Sequence, residues 1–179
     1  MNKTLLSAAL IASFGFAALA PLGAQAASTG TINFTGKVLA DTCAISVNGS
    51  GTSTVALPTV MVAAFGSSVG TVAGATPFTI ALTGCDTNTA SAKMAFNGTN
   101  VDTTSGNLKN ATSGGSNVQI QLLNSAAAVI NTNTQANAPT IAVASGAGST
   151  SLTAQYISTA TATTAGLVTS SVGFTLTYQ

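Results

Sequence analysis

The sequence contains no histidine, glutamate, arginine or tryptophan, and charged residues make up 4% of its 179 positions. Without histidine, the chain has no imidazole base and no histidine metal ligand. Its three carboxylates, Asp41, Asp86 and Asp102, are isolated in sequence, and four lysines without arginine form no basic footprint for nucleic acid. We therefore expect a protein that is not an enzyme, needs no metal or cofactor and binds no nucleic acid.

Apolar residues make up 46% of the chain, and Thr, Ser, Asn, Gly and Ala supply most of the remaining positions. This composition, with glycine-rich turns, is typical of an all-β extracellular protein. Short alternating segments separated by turn residues predict a single-domain β-sandwich. We predict strands at 44–47, 53–57, 77–83, 93–97, 117–124, 129–130, 141–143 and 151–158, a helical turn or irregular crossover at 58–65, and a loop at 66–76.

Residues 1–26 read as a secretory signal. Lys3 precedes an apolar run from Leu5 to Leu22, and Ala24-Gln25-Ala26 offers small residues at the cleavage-determining positions. The alternative is a membrane anchor, but the apolar run is short and is interrupted by Gly15 and Pro21. We therefore expect an exported chain that begins near Ala27.

Cys43 and Cys85 are the two cysteines of the chain. An even pair in an exported protein predicts a disulfide. The alternative, a redox or metal pair, is disfavoured because the spacing is not Cys-x-x-Cys and histidine is absent.

The segment from Ser28 to Val38 alternates between apolar or glycine positions and polar ones. Such a pattern predicts an extended strand, but two interpretations remain open. The segment is either the first strand of the sandwich or a donor strand that completes a neighbouring molecule by β-strand addition. The residues of one parity are Gly30, Ile32, Phe34, Gly36 and Val38.

The last fourteen residues, 166–179, show a sustained every-other-residue pattern. Val172, Phe174, Leu176 and Tyr178 share one face, so we expect a half-buried strand that continues to the carboxyl terminus.

A glycine fourteenth from the end (Gly166) and a tyrosine next to last resemble the C-terminal signature of chaperone–usher pilins, the type 1-like fimbrial subunits. The segment GTINFTGKVLADTCAI is similar to that family's N-terminal extension running into its first strand and first cysteine, and ADTCAI and LTGCD are similar to the flanks of its two cysteines. The resemblance implies an incomplete immunoglobulin-like β-sandwich, the pilin fold, completed by a donor strand from a neighbouring subunit. It divides the chain into a signal peptide at 1–26, a donor-strand extension at 27–36 and a pilin domain at 37–179.

The same resemblance implies roles for individual residues. Ile32 and Phe34 would fill a neighbour's groove, with Gly30 or Gly36 where only a hydrogen atom has room. The C-terminal strand would edge this subunit's own groove and pair with a periplasmic chaperone, whose basic residues would hold the Gln179 carboxylate.

The function implied is that of a structural subunit, exported through the periplasm and polymerised at an outer-membrane usher into a cell-surface fimbria that supports adhesion. Its partners would be identical or related pilins, the chaperone and the usher. The alternative is a single-domain secreted carbohydrate-binding module or a minor adaptor or tip subunit.

Overall fold

The structure, a computed structural model, describes residues 31–39, 42–49 and 53–179. The chain divides into two units, one that ends at Gly36 and one from Lys37 to Gln179. The predicted signal at 1–26 and the predicted donor residue Gly30 lie outside the described residues. Residues 31–38 form no strand, and the side chains of Ile32 and Phe34 are 77% and 89% exposed. The interpretation of this segment as the first strand of the sandwich is therefore wrong for 31–38.

The second unit is all-β, with one short 3-10 helix at Val62–Phe65 within the predicted helical turn. Its strands lie within three residues of their predicted bounds at 93–97, 117–124, 129–130, 141–143 and 151–158. In chain order the strands are β1 (Ala44–Val47), β2 (Val72–Thr83), β3 (Ser91–Asn97), β4 (Val118–Leu123), β5 (Val129–Ile130), β6 (Thr140–Ala142), β7 (Gly148–Ser158) and β8 (Gly173–Tyr178).

The strands form two sheets, and within each sheet every pair of neighbouring strands is antiparallel. The first sheet has the order β1-β2-β7-β4-β5 and the second the order β6-β3-β8. Apolar side chains on the facing sides meet in one core, with Leu82 and Leu152 from the first sheet and Met94 and Ile141 from the second. The predicted β-sandwich is confirmed.

A disulfide joins the start of β1 to the end of β2. Cys43 and Cys85 are bonded with an S–S distance of 2.02 Å across a sequence separation of 42 residues, which confirms the predicted pairing. In the chain-entropy model, a loop of this length stabilises the folded state by about 4 kcal/mol.

The predicted loop at 66–76 is wrong from Val72 onward, because β2 begins there and pairs with β7. A register shift between Ala73 and Thr76 interrupts the ladder at Gly74, whose backbone has a φ of +68°. A bulge of this kind breaks the alternation of side chains, so the two-residue periodicity did not predict the first third of β2.

The predicted strand at 53–57 is also wrong. Val55 and Leu57 pack against the core as a strand's inward side chains would, but residues 53–57 are not part of either sheet. Within the described residues, no helix is long and apolar enough to cross a membrane.

Candidate functional site: an open groove beside the C-terminal strand

Strand β8 forms an edge of the second sheet. It pairs with β3 on one side, from Ala92 opposite Tyr178 to Asn97 opposite Gly173. Its inward side chains, Phe174, Leu176 and Tyr178, are only partly buried although they pack against the core. An edge strand with a half-covered apolar face is the main feature of this site.

Within the described residues, the main chain of β8 has hydrogen-bonding groups along this edge that no other strand pairs with. Ser91 and Gln179 exchange both main-chain hydrogen bonds, at 2.8 and 3.2 Å. Bonded and non-bonded pairs alternate along an antiparallel ladder, so the N–H and C=O groups of Phe174, Leu176 and Tyr178 point away from β3. On β3, the Met94 N–H accordingly donates outward to the Pro139 carbonyl at 3.0 Å.

Strand β1 is the corresponding edge of the first sheet. The Asn48 N–H donates to the Thr79 carbonyl at 2.8 Å, which places the main-chain groups of Ile45 and Val47 on the side away from β2. In the part of the chain that the structure describes, two sheet edges therefore direct main-chain hydrogen-bonding groups away from their sheets, on the two sides of the same opening. Such edges are open to pairing with another chain.

Two adjoining cavities lie in the opening between these two sheet edges, and Leu57 lines both of them. The first, of about 220 Å³, lies between Val47 and Val55 on one side and Val172 and Phe174 on the other. The second, of about 430 Å³, lies farther from the C-terminus, between Met61 and Leu167. Together they form a groove, which we call the acceptor groove. The residues that line it from the sheets include Phe78, Ile80, Ile120, Val118 and the half-buried Tyr156.

The segment before β8, residues 162–172, forms a wall of the groove that belongs to neither sheet. Two main-chain bonds, from Ala111 to Thr169 and from Ser116 to Leu167, and several asparagine side-chain bonds hold it. The Asn110 amide donates to the carbonyls of Ser116 and Leu167, both at 2.8 Å, and its Oδ1 accepts from the N–H of Thr169 at 3.0 Å. The Asn117 amide donates to the Ala162 carbonyl at 2.9 Å, and its Oδ1 accepts from the Thr164 N–H at 3.0 Å. These bonds hold an irregular segment in an extended path beside the groove.

Gly166 lies where this wall passes close to the loop that contains Gly115 and Ser116. A Cβ atom on Gly166 would lie 2.6 Å from the Ser116 nitrogen, and one on Gly115 would lie 2.3 Å from the Leu167 oxygen. Both distances are shorter than real Cβ contacts allow, so glycine is required on both sides of the crossing. The wall position next to the larger cavity depends on this pair.

The acceptor groove is electrically neutral. None of the described residues that line its two cavities is charged, and burial raises the pKa of the Tyr156 phenol in its lining, which keeps that side chain neutral. In the part of the chain that the structure describes, no cluster of three His, Cys, Asp or Glu side chains could hold a metal ion. An uncharged apolar groove with free main-chain groups suits an extended apolar peptide.

The alternation predicted a half-buried strand at the C-terminus, and the structure has β8 there, although regular strand begins only at Gly173. Val172 and Phe174 line the smaller cavity, but most of the remaining lining was not predicted from the sequence. The roles of Asn110 and Asn117 were missed, because a side chain that bonds to a distant main chain leaves no periodic signal.

A profile of the family described as "Fimbrial protein" matches residues 32–179. The chain belongs to the fimbrial protein family. It is 42% identical over 175 residues to the F17 fimbrial protein of Escherichia coli, which covers 92% of this chain and 96% of that protein. It is 40% identical over 171 residues to the major fimbrial subunit SMF-1 of Stenotrophomonas maltophilia, with 90% and 99% covered.

Solved structures of fimbrial proteins resemble this fimbrial subunit in fold. The P pilus rod subunit PapA matches with a TM-score of 0.61 at 22% identity, over 78% of this chain and all of that chain. A type I fimbria protein of Burkholderia pseudomallei matches with a TM-score of 0.55 at 30% identity, over 84% and 99%. The sandwich therefore has the immunoglobulin-like pilin fold.

This fimbrial subunit is a structural protein that polymerises with other pilins into a fibre at the cell surface. The predictions of family, fold class, fimbrial role and surface location are confirmed. The carbohydrate-binding alternative is not favoured.

Proposed function

We propose that this fimbrial subunit polymerises by donor-strand exchange, in which the extension of one copy occupies the acceptor groove of the next. The observation that carries the proposal is the outer edge of β8, where the main-chain groups of Phe174, Leu176 and Tyr178 face an apolar opening. A strand added there satisfies those groups and covers the half-buried core, which is the mode of recognition called β-strand addition.

The segment 28–38 has the length and chemistry of such a strand. Its eleven residues extend to roughly 36 Å, close to the span of the twelve residues from Val168 to Gln179 that edge the groove. Ile32 and Phe34 are exposed apolar side chains of one parity, available to enter the two cavities. Gly30, Gly36 and Val38 share that parity, and the glycines suit positions where the donor and acceptor main chains approach closely.

The donor strand runs antiparallel to β8 in this proposal. All strand pairings of the sandwich are antiparallel, and antiparallel pairs are slightly more stable per residue. The carboxyl end of the donor segment, near Gly36, then lies at the larger cavity, beside Leu167 and Val168.

Before assembly, the groove requires a substitute strand, since the uncovered core and main-chain groups favour aggregation. A periplasmic chaperone supplies that strand along β8, with basic residues on the Gln179 carboxylate, and an outer-membrane usher is where the next subunit's extension replaces it. Residues 1–26 direct export, residues 27–36 form the donor extension and residues 37–179 form the acceptor domain. The subunit serves in the shaft, which is supported by its 40% identity to a major fimbrial subunit of Stenotrophomonas maltophilia.

A substitution at Phe34 tests this proposal. Phe34→Asp places a charge on the donor face, where it must enter an uncharged apolar groove. Losing one buried aromatic side chain and burying a carboxylate should slow polymerisation of the mature chain roughly a hundredfold or more. Polymerisation is followed by light scattering and by fibre length in electron micrographs.

Thr35→Asp is the matched control, because residue 35 lies on the opposite face of the same segment. The Thr35 variant should polymerise at close to the normal rate. Equal rates for the two variants would show that the parity of the segment does not matter and would contradict the proposal.

A further inference from the structure

Exposed apolar side chains of the second unit are concentrated at one end of the sandwich. Met61, Val62 and Leu167 line the larger cavity, and Met61 and Leu167 are 77% and 75% exposed. Val69, which is 60% exposed, and Val72 lie at the same end, because Val72 pairs with Ile157 and the Gly70 N–H donates to the Ser158 carbonyl. We call these five side chains the apolar end.

An apolar surface of this kind marks a contact site when it is contiguous and rimmed by polar residues. Five of the eight large apolar side chains that are exposed within the described part of Lys37–Gln179 belong to the apolar end. The donor extension fills the groove but does not reach outward over Val69, which lines neither cavity.

We infer that the apolar end is a second contact between copies of this chain, covered by the body of the subunit that donates the strand. This inference rests on the proposed donor-strand exchange and adds a surface to it. In the proposed exchange, the donor extension, residues 27–36, leaves the groove beside the larger cavity, and the donor's own second unit begins at Lys37.

The chain between the donor segment and the donor's body is short. Lys37 donates from its Nζ to the main-chain oxygen of Asn88, and Cys43 is fixed to Cys85 by the disulfide. The seven steps from Gly36 to Cys43 span at most about 25 Å. The donor's body therefore lies directly beside the acceptor's apolar end.

The donor contributes the opposite end of its own sandwich. Asn88 follows β2, which begins at Val72 in the apolar end and finishes at Thr83, so Lys37 and Asn88 lie at the far end of that strand. Two different ends of the same chain meet, which makes a heterologous contact that repeats along a fibre without closing.

Photocrosslinking in fibres of the full mature chain tests the inference. A benzophenone side chain at position 69 should crosslink to the neighbouring copy at the end that contains Lys37, Val38 and residues 86–89, as mapped by mass spectrometry. A benzophenone at position 34, in a second preparation, should crosslink to residues that line the acceptor groove.

Crosslinks from position 34 test donor-strand exchange, and crosslinks from position 69 test the second contact at the apolar end. Groove crosslinks from position 34, with none from position 69 to the Lys37–Asn88 end, would overturn the inference and leave donor-strand exchange standing. Absence of groove crosslinks from position 34 would overturn both, since the orientation of the neighbour depends on the donor strand.

Val69→Ser gives an independent energetic measure. Because Val69 is in an exposed turn, the change should leave folding intact but weaken the joint, with fibres in guanidinium chloride dissociating about tenfold faster. Val129→Ser is the matched control, as Val129 is an exposed valine in β5, at the other edge of the first sheet. Equal dissociation rates for the two variants would overturn the inference.

Discussion

Asp102 is the side chain whose ionisation the fold changes most clearly. The Gln119 amide donates to one carboxylate oxygen at 2.6 Å, and the Thr104 N–H donates to the other at 2.9 Å. These hydrogen bonds, that from Gln119 above all, lower the pKa of Asp102 from 3.8 to about 2. The ionised side chain thereby ties the loop after β3 to β4.

A lowered pKa predicts how stability depends on pH. The folded state binds the Asp102 proton more weakly than the unfolded state, so the stabilisation is fully present above about pH 4 and is lost as the pH falls through about 2. Asp102→Asn should flatten the decrease in the unfolding free energy between pH 4 and pH 2, measured by urea denaturation. An unchanged slope in the variant would contradict the role assigned to these hydrogen bonds.

Among the elements, the wall from Ala162 to Val172 differs most from ordinary sheet structure. Its last five residues keep the alternating exposure of a strand, with Val168, Ser170 and Val172 half-buried, yet Asn110 and Asn117 side chains help to hold the segment. A wall built this way leaves its groove side open for a partner strand, since its hydrogen bonds are made on the other side.

The glycine crossing beneath this wall gives a prediction at the same scale. Gly166→Ala places a Cβ against the Ser116 nitrogen, which must separate the two main chains and weaken the bond from the Ser116 N–H to the Leu167 carbonyl. We expect a loss of about 1–3 kcal/mol in the unfolding free energy, as in other overpacked sites, together with slower polymerisation. Chemical denaturation and light scattering measure the two effects.

Gly114→Asn is the control for this substitution. Gly114 has no atom within 4 Å of the Cβ position, and its φ of +68° is one that asparagine tolerates. A Gly166 variant as stable as the Gly114 variant would show that the crossing has room for a side chain.

The sequence predicted the elements that alternate and bury one face. The strands from β3 to β7 and the Phe174–Tyr178 face of β8 follow from two-residue periodicity, and the disulfide follows from a single cysteine pair in an exported chain. The start of β2 was not predictable, because Gly74 and its bulge interrupt that periodicity.

The groove itself could be predicted only in part. Val55 and Leu57 alternate like strand residues, so periodicity could not reveal that residues 53–57 stay outside both sheets. Likewise, an asparagine in an asparagine-rich chain gives no indication that it holds a segment more than forty residues away, as Asn110 and Asn117 do. Both features depend on the three-dimensional path of the chain.

At the scale of the whole molecule, the chain combines a sandwich that is open along one side with an N-terminal segment that carries exposed apolar side chains. The near-absence of charge is consistent with this arrangement, because an uncharged groove accepts apolar side chains without leaving a buried charge unpaired. Two or three large side chains contribute roughly 1.5–3 kcal/mol each when fully buried. In the proposed donor-strand exchange, filling the groove also completes the fold, so each joint should dissociate very slowly.

The most direct test of this account is thermal unfolding of the domain that lacks residues 27–36, with and without a synthetic peptide of residues 28–38. The account predicts a large and slowly reversed rise in melting temperature with the peptide, and a much smaller rise when the peptide carries Phe34→Asp. A truncated domain that is already fully stable and ignores the peptide would mean that the sandwich is complete on its own, which would contradict donor-strand exchange.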